Sequence, residues 1–415
     1  MRSMRRAGIR AAFSIDMAFL CKHKLPGSAQ FCGSGRPADA PCGAFEYVRV
    51  ERPDDLPPTE PRVVDVAVLD MNHGWPNLGH DCLVHSMLDI ACELLPLAEE
   101  TGVRVRVLSF DVRRSGMIPE PPGGRFGLYV GTGGPGHLDP HENDGVSAYS
   151  QGIREDPSWQ APLYRLFDRI VEDESAALLA VCHTFGVLCH WSGAAKPVLR
   201  GPEKGGKSAG VLENVLAPEA ADHPWFRRFG SELTGGERLR VLDNRLFDLI
   251  PPSSFPAGTV PIGWETLGVG GPRGDAITML EFARDASGLM PRVFGVNHHP
   301  EVVNRARQLL VVDQMLARGE VSEQWVAERR EALTRNFPDE DSEQRLQHTS
   351  DYTLQGPLRF HLWRQVRQRT ESLGFAAELH EDQVAAGAPY YWQSRAGARN
   401  VPAEEYHPLN PSDGV

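Results

Sequence analysis

Three observations assign this sequence to the α/β class. β-Branched runs recur with little polar alternation, helical apolar spacing follows several of them, and Gly-rich or Cys-bearing turns come directly after two of the runs. A strand buried on both faces reads as a continuous apolar run, and strands alternating with helices form a parallel sheet covered on both sides. Functional groups of such sheets gather beyond the carboxyl ends of the strands. Both the glycine turn after residue 130 and Cys182 fall there.

The first strand expected is Val63-Val64-Asp65-Val66-Ala67-Val68-Leu69-Asp70. Leu83, Met87, Ile90, Leu94 and Leu95 then recur at helical spacing and predict a helix within 77–97. Strands are predicted over 103–108 and 126–130, a helix over 161–174, and a strand over 178–181 that runs into Cys182. Short strands between Pro and Gly turns follow at 239–242, 260–262, 276–282 and 292–296. Residues 301–317 read as a helix, and beyond Gly319 the chain is charged and mostly helical, with a helix over 358–373. The division expected is a flexible, Gly- and Pro-rich leader over 1–61, an α/β domain over 62–318 and a small, mostly helical C-terminal extension over 319–415. Order is expected to begin near Arg62.

With 415 residues, 41% of them hydrophobic, the chain can bury one large core. Its formal charge of -12 argues against nonspecific nucleic-acid binding, which needs clustered Lys and Arg. No run reaches the roughly 18 apolar residues that cross a bilayer, so no membrane association is expected. Arg2, Arg5 and Arg6 precede Ala11-Ala12-Phe13 as in the start of a signal peptide, yet Asp16, Lys22 and Lys24 break the apolar stretch. The seven cysteines are odd in number and dispersed, which fits a reducing cytoplasm better than a disulfide scaffold. Cys21, His23, Cys32 and Cys42 lack the short ligand pairs of common zinc sites, and neither a metal nor a cofactor is expected.

Cys182 ends an apolar run, and small Ala180 and Thr184 flank it at two residues either side. Strand, sharp turn and helix around such a residue form an elbow that exposes the side chain and offers backbone N–H groups to an oxyanion. A thiol nucleophile needs an imidazole to take its proton and a carboxylate to orient that imidazole. His298-His299-Pro300-Glu301 supplies both, and because side chains alternate along extended chain, only one histidine should face Cys182.

Two glycine motifs compete for a nucleotide reading. Gly131, Gly133 and Gly136 satisfy G-x-G-x-x-G but open onto Pro135 and Pro140 rather than a helix, so the glycines are expected to bring backbone amides close to a substrate oxyanion. Gly201-Pro202-Glu203-Lys204-Gly205-Gly206-Lys207-Ser208 satisfies the P-loop pattern, in which Lys207 would reach phosphates and Ser208 magnesium. That pattern needs a helix from Lys207, and Gly210 with 211–216 leaves a strand equally open. A Gly/Lys-rich hairpin turn is the reading preferred.

On these motifs the chain from 63 to 317 resembles a class I glutamine amidotransferase domain, similar to the glutaminase domain of GMP synthetase. Gly133-Gly134-Pro135-Gly136 resembles that family's oxyanion loop, Cys182 its elbow nucleophile, and Gly295-Val296-Asn297-His298-His299-Pro300-Glu301 its G-x-Q-F-H-P-E segment. The resemblance implies a flavodoxin-like, mostly parallel sheet with helices on both faces. It makes Cys182 the nucleophile, His299 the base and Glu301 its orienter, with Gly133, Gly134 and His183 at the oxyanion and substrate. It further implies hydrolysis of a small-molecule amide, glutamine, through a thioester, with ammonia passed to a separate synthase subunit. Two departures bear on the substrate: Gly186 and Asn297 stand where the family has glutamine. They keep open another acyl transfer or hydrolysis by the same triad, or a noncatalytic binding module.

Overall fold

A computed structural model of the chain describes residues 43–375, apart from 75, 76, 234, 235, 318 and 320, together with 378–379 and 392–393. Its strands, in chain order, are β1 (Phe45–Val50), β2 (Val63–Asp70), β3 (Arg104–Asp111), β4 (Phe126–Gly131), β5 (Ala177–Val181), β6 (Lys196–Leu199), β7 (Gly210–Leu216), β8 (Arg238–Asp243), β9 (Phe247–Ile250), β10 (Val260–Thr266), β11 (Arg273–Arg284) and β12 (Pro291–Val296). The helices are α1 (Leu78–Glu93), α2 (Leu95–Thr101), α3 (Val112–Ser115), α4 (Gln160–Glu172), α5 (His183–Ser192), α6 (Pro224–Glu232), α7 (Arg305–Ala317), α8 (Glu323–Asn336), α9 (Glu340–Ser350) and α10 (Gly356–Ser372).

Ten strands form one sheet in the order β1-β3-β2-β4-β5-β12-β11-β10-β7-β8. From β1 to β12 every neighbouring pair is parallel, and from β12 to β8 every pair is antiparallel. Counting only β2, β3, β4, β5 and β12, the spatial order is 2-1-3-4-5, the flavodoxin-like order, and its switch point lies between β2 and β4. All eight residues of β2 are buried, which is why its sequence does not alternate. Val64, Val66 and Val68 face a core shared with α1, α6 and α10, whereas Ala67 and Leu69 face a second core shared with α4 and α5.

Three sequence expectations need correction here. The expected leader contains β1, which pairs with β3 and buries Phe45, Tyr47 and Val50; six residues between Gly/Pro-rich stretches carried too little pattern to stand out. The helix expected from 301 starts at Arg305, because Pro300–Val302 form a 3-10 turn first. The C-terminal extension is no appendage, since α10 lies against β2, β4, β5 and β12 and places Leu358, Leu362 and Val366 in the main core. Arg359 fixes it to Glu93 of α1 through two hydrogen bonds. The leader's residues 1–42, with Cys21, His23, Cys32 and Cys42, lie outside the described residues.

One polar group inside the sheet carries a large stability consequence. Asp65 of β2 is buried and accepts hydrogen bonds from Arg106 (2.6 Å) and Arg125 (2.7 Å). Removing one partner of a buried ion pair strands the remaining charge, at a cost of about 3–5 kcal/mol. Asp65→Ala is therefore expected to lower stability by about 3 kcal/mol. Denaturant unfolding with an unchanged m-value checks this, and a midpoint equal to that of the parent contradicts it.

Candidate functional site

The sheet brings the sequence-predicted residues to one place. Cys182 follows β5 directly, with φ 45° and ψ -98°, and serves as N-cap of α5. A positive φ is uncommon outside glycine and costs of order 1–3 kcal/mol, so packing must hold it. It does: the Cys182 N–H donates to the Val296 carbonyl (2.7 Å) and the Cys182 carbonyl accepts from Gly186 N–H (2.9 Å). The strained turn leaves Cys182 partly exposed while its neighbours His183, Thr184 and Phe185 are buried.

His299 reaches the same spot from the end of β12, its N–H anchored on the Leu242 carbonyl at 2.8 Å. The 3-10 turn at Pro300–Val302 folds Glu301 back toward it, so that His299 Nδ1 and Glu301 Oε1 are 2.8 Å apart. A Cβ on Gly79 would lie 2.7 Å from Glu301 Oε1, which shows the carboxylate seated against the first turn of α1, where a helix favours negative charge. A Cβ on Gly133 would meet His299 Cε1 at 2.8 Å and Cys182 Cβ at 3.6 Å, so loop, thiol and imidazole converge. Burial pulls the His299 pKa down, but the Glu301 and Cys182 charges outweigh it and hold the imidazolium well above the usual histidine value. His298 behaves oppositely: burial, with His299 and Arg245 nearby, pushes it down to about 3, and its Nε2 lies 3.3 Å from Thr353 Oγ1. It packs on the C-terminal extension as a neutral structural residue.

The Gly131–Gly136 loop is clamped to the elbow by threonines that carry no motif of their own. Thr184 donates from Oγ1 (2.7 Å) and N–H (3.3 Å) to the Thr132 carbonyl. Arg113 adds hydrogen bonds to the Met71 (2.8 Å) and Pro135 (2.6 Å) carbonyls and is itself held by Glu155. No motif marks Arg113 or Glu155 either, because they act through the fold from distant segments. The backbone N–H of His183 finds no acceptor among the described residues, the His183 ring is hydrogen-bonded to the Gly134 backbone, and both residues line a cavity of about 150 Å³ beside Cys182 and His299. N–H groups at a helix N-terminus and an adjoining loop suit an oxyanion.

The P-loop pattern has another use. After the 3-10 turn Pro202–Lys204 the chain enters β7 instead of a helix, and the Ser208 hydroxyl donates to Asp243 (2.7 Å), so no phosphate cradle forms. Nor is it a hairpin turn, since β6 pairs with β9 and β7 with β8 and β10. Lys207 lines the Cys182 cavity and has no ion-pair partner among the described residues. Gly186 faces Leu138, where a Cβ would lie 2.6 Å from Leu138 Cδ1, and Leu138 also lines the cavity. No group of three or more potential metal ligands occurs among the described residues, and no described helix is long and apolar enough to cross a membrane.

The raised His299 pKa has a testable sign. A group whose pKa is raised on folding adds stability that is complete below its unfolded value, about 6.5, and lost as pH climbs through the folded one. If His299 must carry the proton for the leaving group, activity falls over that same upper range. Glu301→Gln removes the largest charge that raises it, so the alkaline limb of kcat/KM against pH is expected to shift acidward. A limb that stays in place contradicts the coupling.

Against models of protein families and against curated proteins, the chain has no match. Solved structures of similar fold include a glutamine amidotransferase from Thermotoga maritima, 18% identical, with a TM-score of 0.39 over 72% of this chain and 98% of that one. A glutamine amido transferase from Methylobacillus flagellatus is 13% identical, TM-score 0.36, over 81% of this chain and all of its own (100%). A putative GMP synthase component from Thermoplasma acidophilum is 13% identical, TM-score 0.33, over 65% and 96%. Each is a likeness of fold.

Proposed function

We propose that the protein hydrolyses the side-chain amide of glutamine through a Cys182 thioester and hands the ammonia to a separate partner. The observation that carries this reading is the strained elbow at Cys182 (φ 45°) beside an imidazole whose Nδ1 lies 2.8 Å from Glu301 Oε1 and whose pKa the neighbouring Glu301 and Cys182 charges raise. In this reading the thiolate attacks the amide carbonyl, the oxyanion takes hydrogen bonds from the Gly134 and His183 N–H groups, and the His299 imidazolium protonates the departing ammonia. The neutral imidazole then draws a proton from water, which cleaves the thioester to glutamate. Unpaired Lys207 on the cavity wall suits the substrate's α-carboxylate.

A second reading keeps the triad and changes the acyl donor. It is favoured by Leu138, which occupies the space beside Gly186 where a substrate-seating side chain would stand. Glutamate release from L-glutamine, with and without candidate synthase partners, separates the two. Release dependent on Cys182 supports glutamine; labelling of Cys182 by a general electrophile that glutamine does not slow favours another donor.

A further inference from the structure

Beyond the thiol cavity, and sharing Asn77, Asn244 and His299 with it, lies a larger one of about 610 Å³. It opens between the β7–β8 edge and α8 of the C-terminal extension. Its wall combines three chemistries. Leu242, Val302 and Leu333 give it an apolar side. Arg329, stacked 5.0 Å over the Trp325 ring, and Arg335 are exposed there, and neither has an ion-pair partner among the described residues. Asp243 is 2% exposed; its Oδ2 accepts from Ser208 and is ion-paired with Arg245 at 3.3 Å, while its buried Oδ1 has no hydrogen-bond partner.

A buried acceptor without a donor is costly, and two arginines without carboxylates suit an anion. We propose that this cavity binds a second substrate, an α-amino acid with an apolar side chain: carboxylate on Arg329 and Arg335, amino group toward Asp243 and His299, side chain on Leu242 and Trp325. Resting on the thioester reading above, its role is that of acyl acceptor in place of water. The acceptor enters as the free amine, its ammonium proton having gone to solvent. Its nitrogen attacks the thioester carbonyl, the C–N bond forms as the C–S bond breaks, and the neutral His299 imidazole takes the amine proton. Thiolate and imidazolium are thereby restored, and no further reactant is required.

The test uses the full chain and calorimetric titration with L-phenylalanine, phenethylamine and 3-phenylpropionate. L-Phenylalanine is expected to bind most tightly, and R329Q/R335Q to weaken it at least about tenfold, since a charge-assisted hydrogen bond exceeds one decade of affinity. Asp243→Asn is expected to weaken L-phenylalanine and phenethylamine but leave 3-phenylpropionate unchanged. Because that variant touches a buried network, circular dichroism accompanies it, and the arginine pair stands as a test on its own. No binding of L-phenylalanine tighter than about 1 mM, or an unaltered R329Q/R335Q, overturns the site. With glutamine added, γ-glutamyl-phenylalanine formed at the expense of glutamate supports the acceptor role; glutamate alone, with the site filled, overturns it. Binding in the parent and in Cys182→Ala with neither product from the parent leaves the site standing and overturns the glutamine reading instead.

Discussion

Cys182→Ala is expected to lower glutamine hydrolysis by at least about 10³-fold, because removing a nucleophile leaves only oxyanion and binding contributions. Thermal stability should change little, since the residue is only partly buried and its backbone hydrogen bonds to Val296 and Gly186 do not involve the side chain. The comparison is steady-state glutamate release at saturating glutamine with Tm measured in parallel. A variant that retains activity removes Cys182 from the chemistry. Loss of activity together with loss of fold is separated by Cys182→Ser, which keeps the volume.

Gly134→Ala is expected to reduce kcat by about 10²-fold or more, the scale of losing an oxyanion donor. A Cβ there would lie 2.3 Å from the Met71 carbonyl oxygen, which is backbone and is held by Arg113 at 2.8 Å, so the loop must move rather than its neighbour. Overpacking of this kind also costs about 1–3 kcal/mol of stability. Alkylation of Cys182 by iodoacetamide needs no oxyanion donor and should stay within about threefold of the parent, since a displacement at carbon develops no carbonyl oxyanion. Equal falls in alkylation and hydrolysis would assign the defect to the elbow instead.

The sequence made some parts of this site legible and hid others, for physical reasons. The buried strands β2, β4, β5 and β12 carry continuous apolar runs, and the turns after them hold the glycines, Cys182 and His299, so position along the chain already implied position in space. The antiparallel half of the sheet was harder to see: β7 begins at a glycine inside a P-loop pattern, and β9 has four residues, too few for periodicity to show. Thr184 clamps the glycine loop through a carbonyl, a contact that exists only once β4 and β5 are neighbours. Glu301 was found by motif, yet its reach back to His299 depends on a 3-10 turn where a helix was expected. The larger cavity could not be read at all, because α8 closes it from a segment that looked like an appendage.

The most direct test of a Cys182 thioester is to mix the protein with L-glutamine, quench in acid within the first turnover, and map the cysteine peptides by mass spectrometry. A γ-glutamyl adduct is expected on the Cys182 peptide, absent from Cys82, Cys92 and Cys189, and it disappears as glutamate accumulates. Glutamate formed with no adduct on Cys182, and at the same rate in Cys182→Ala, would contradict the thioester.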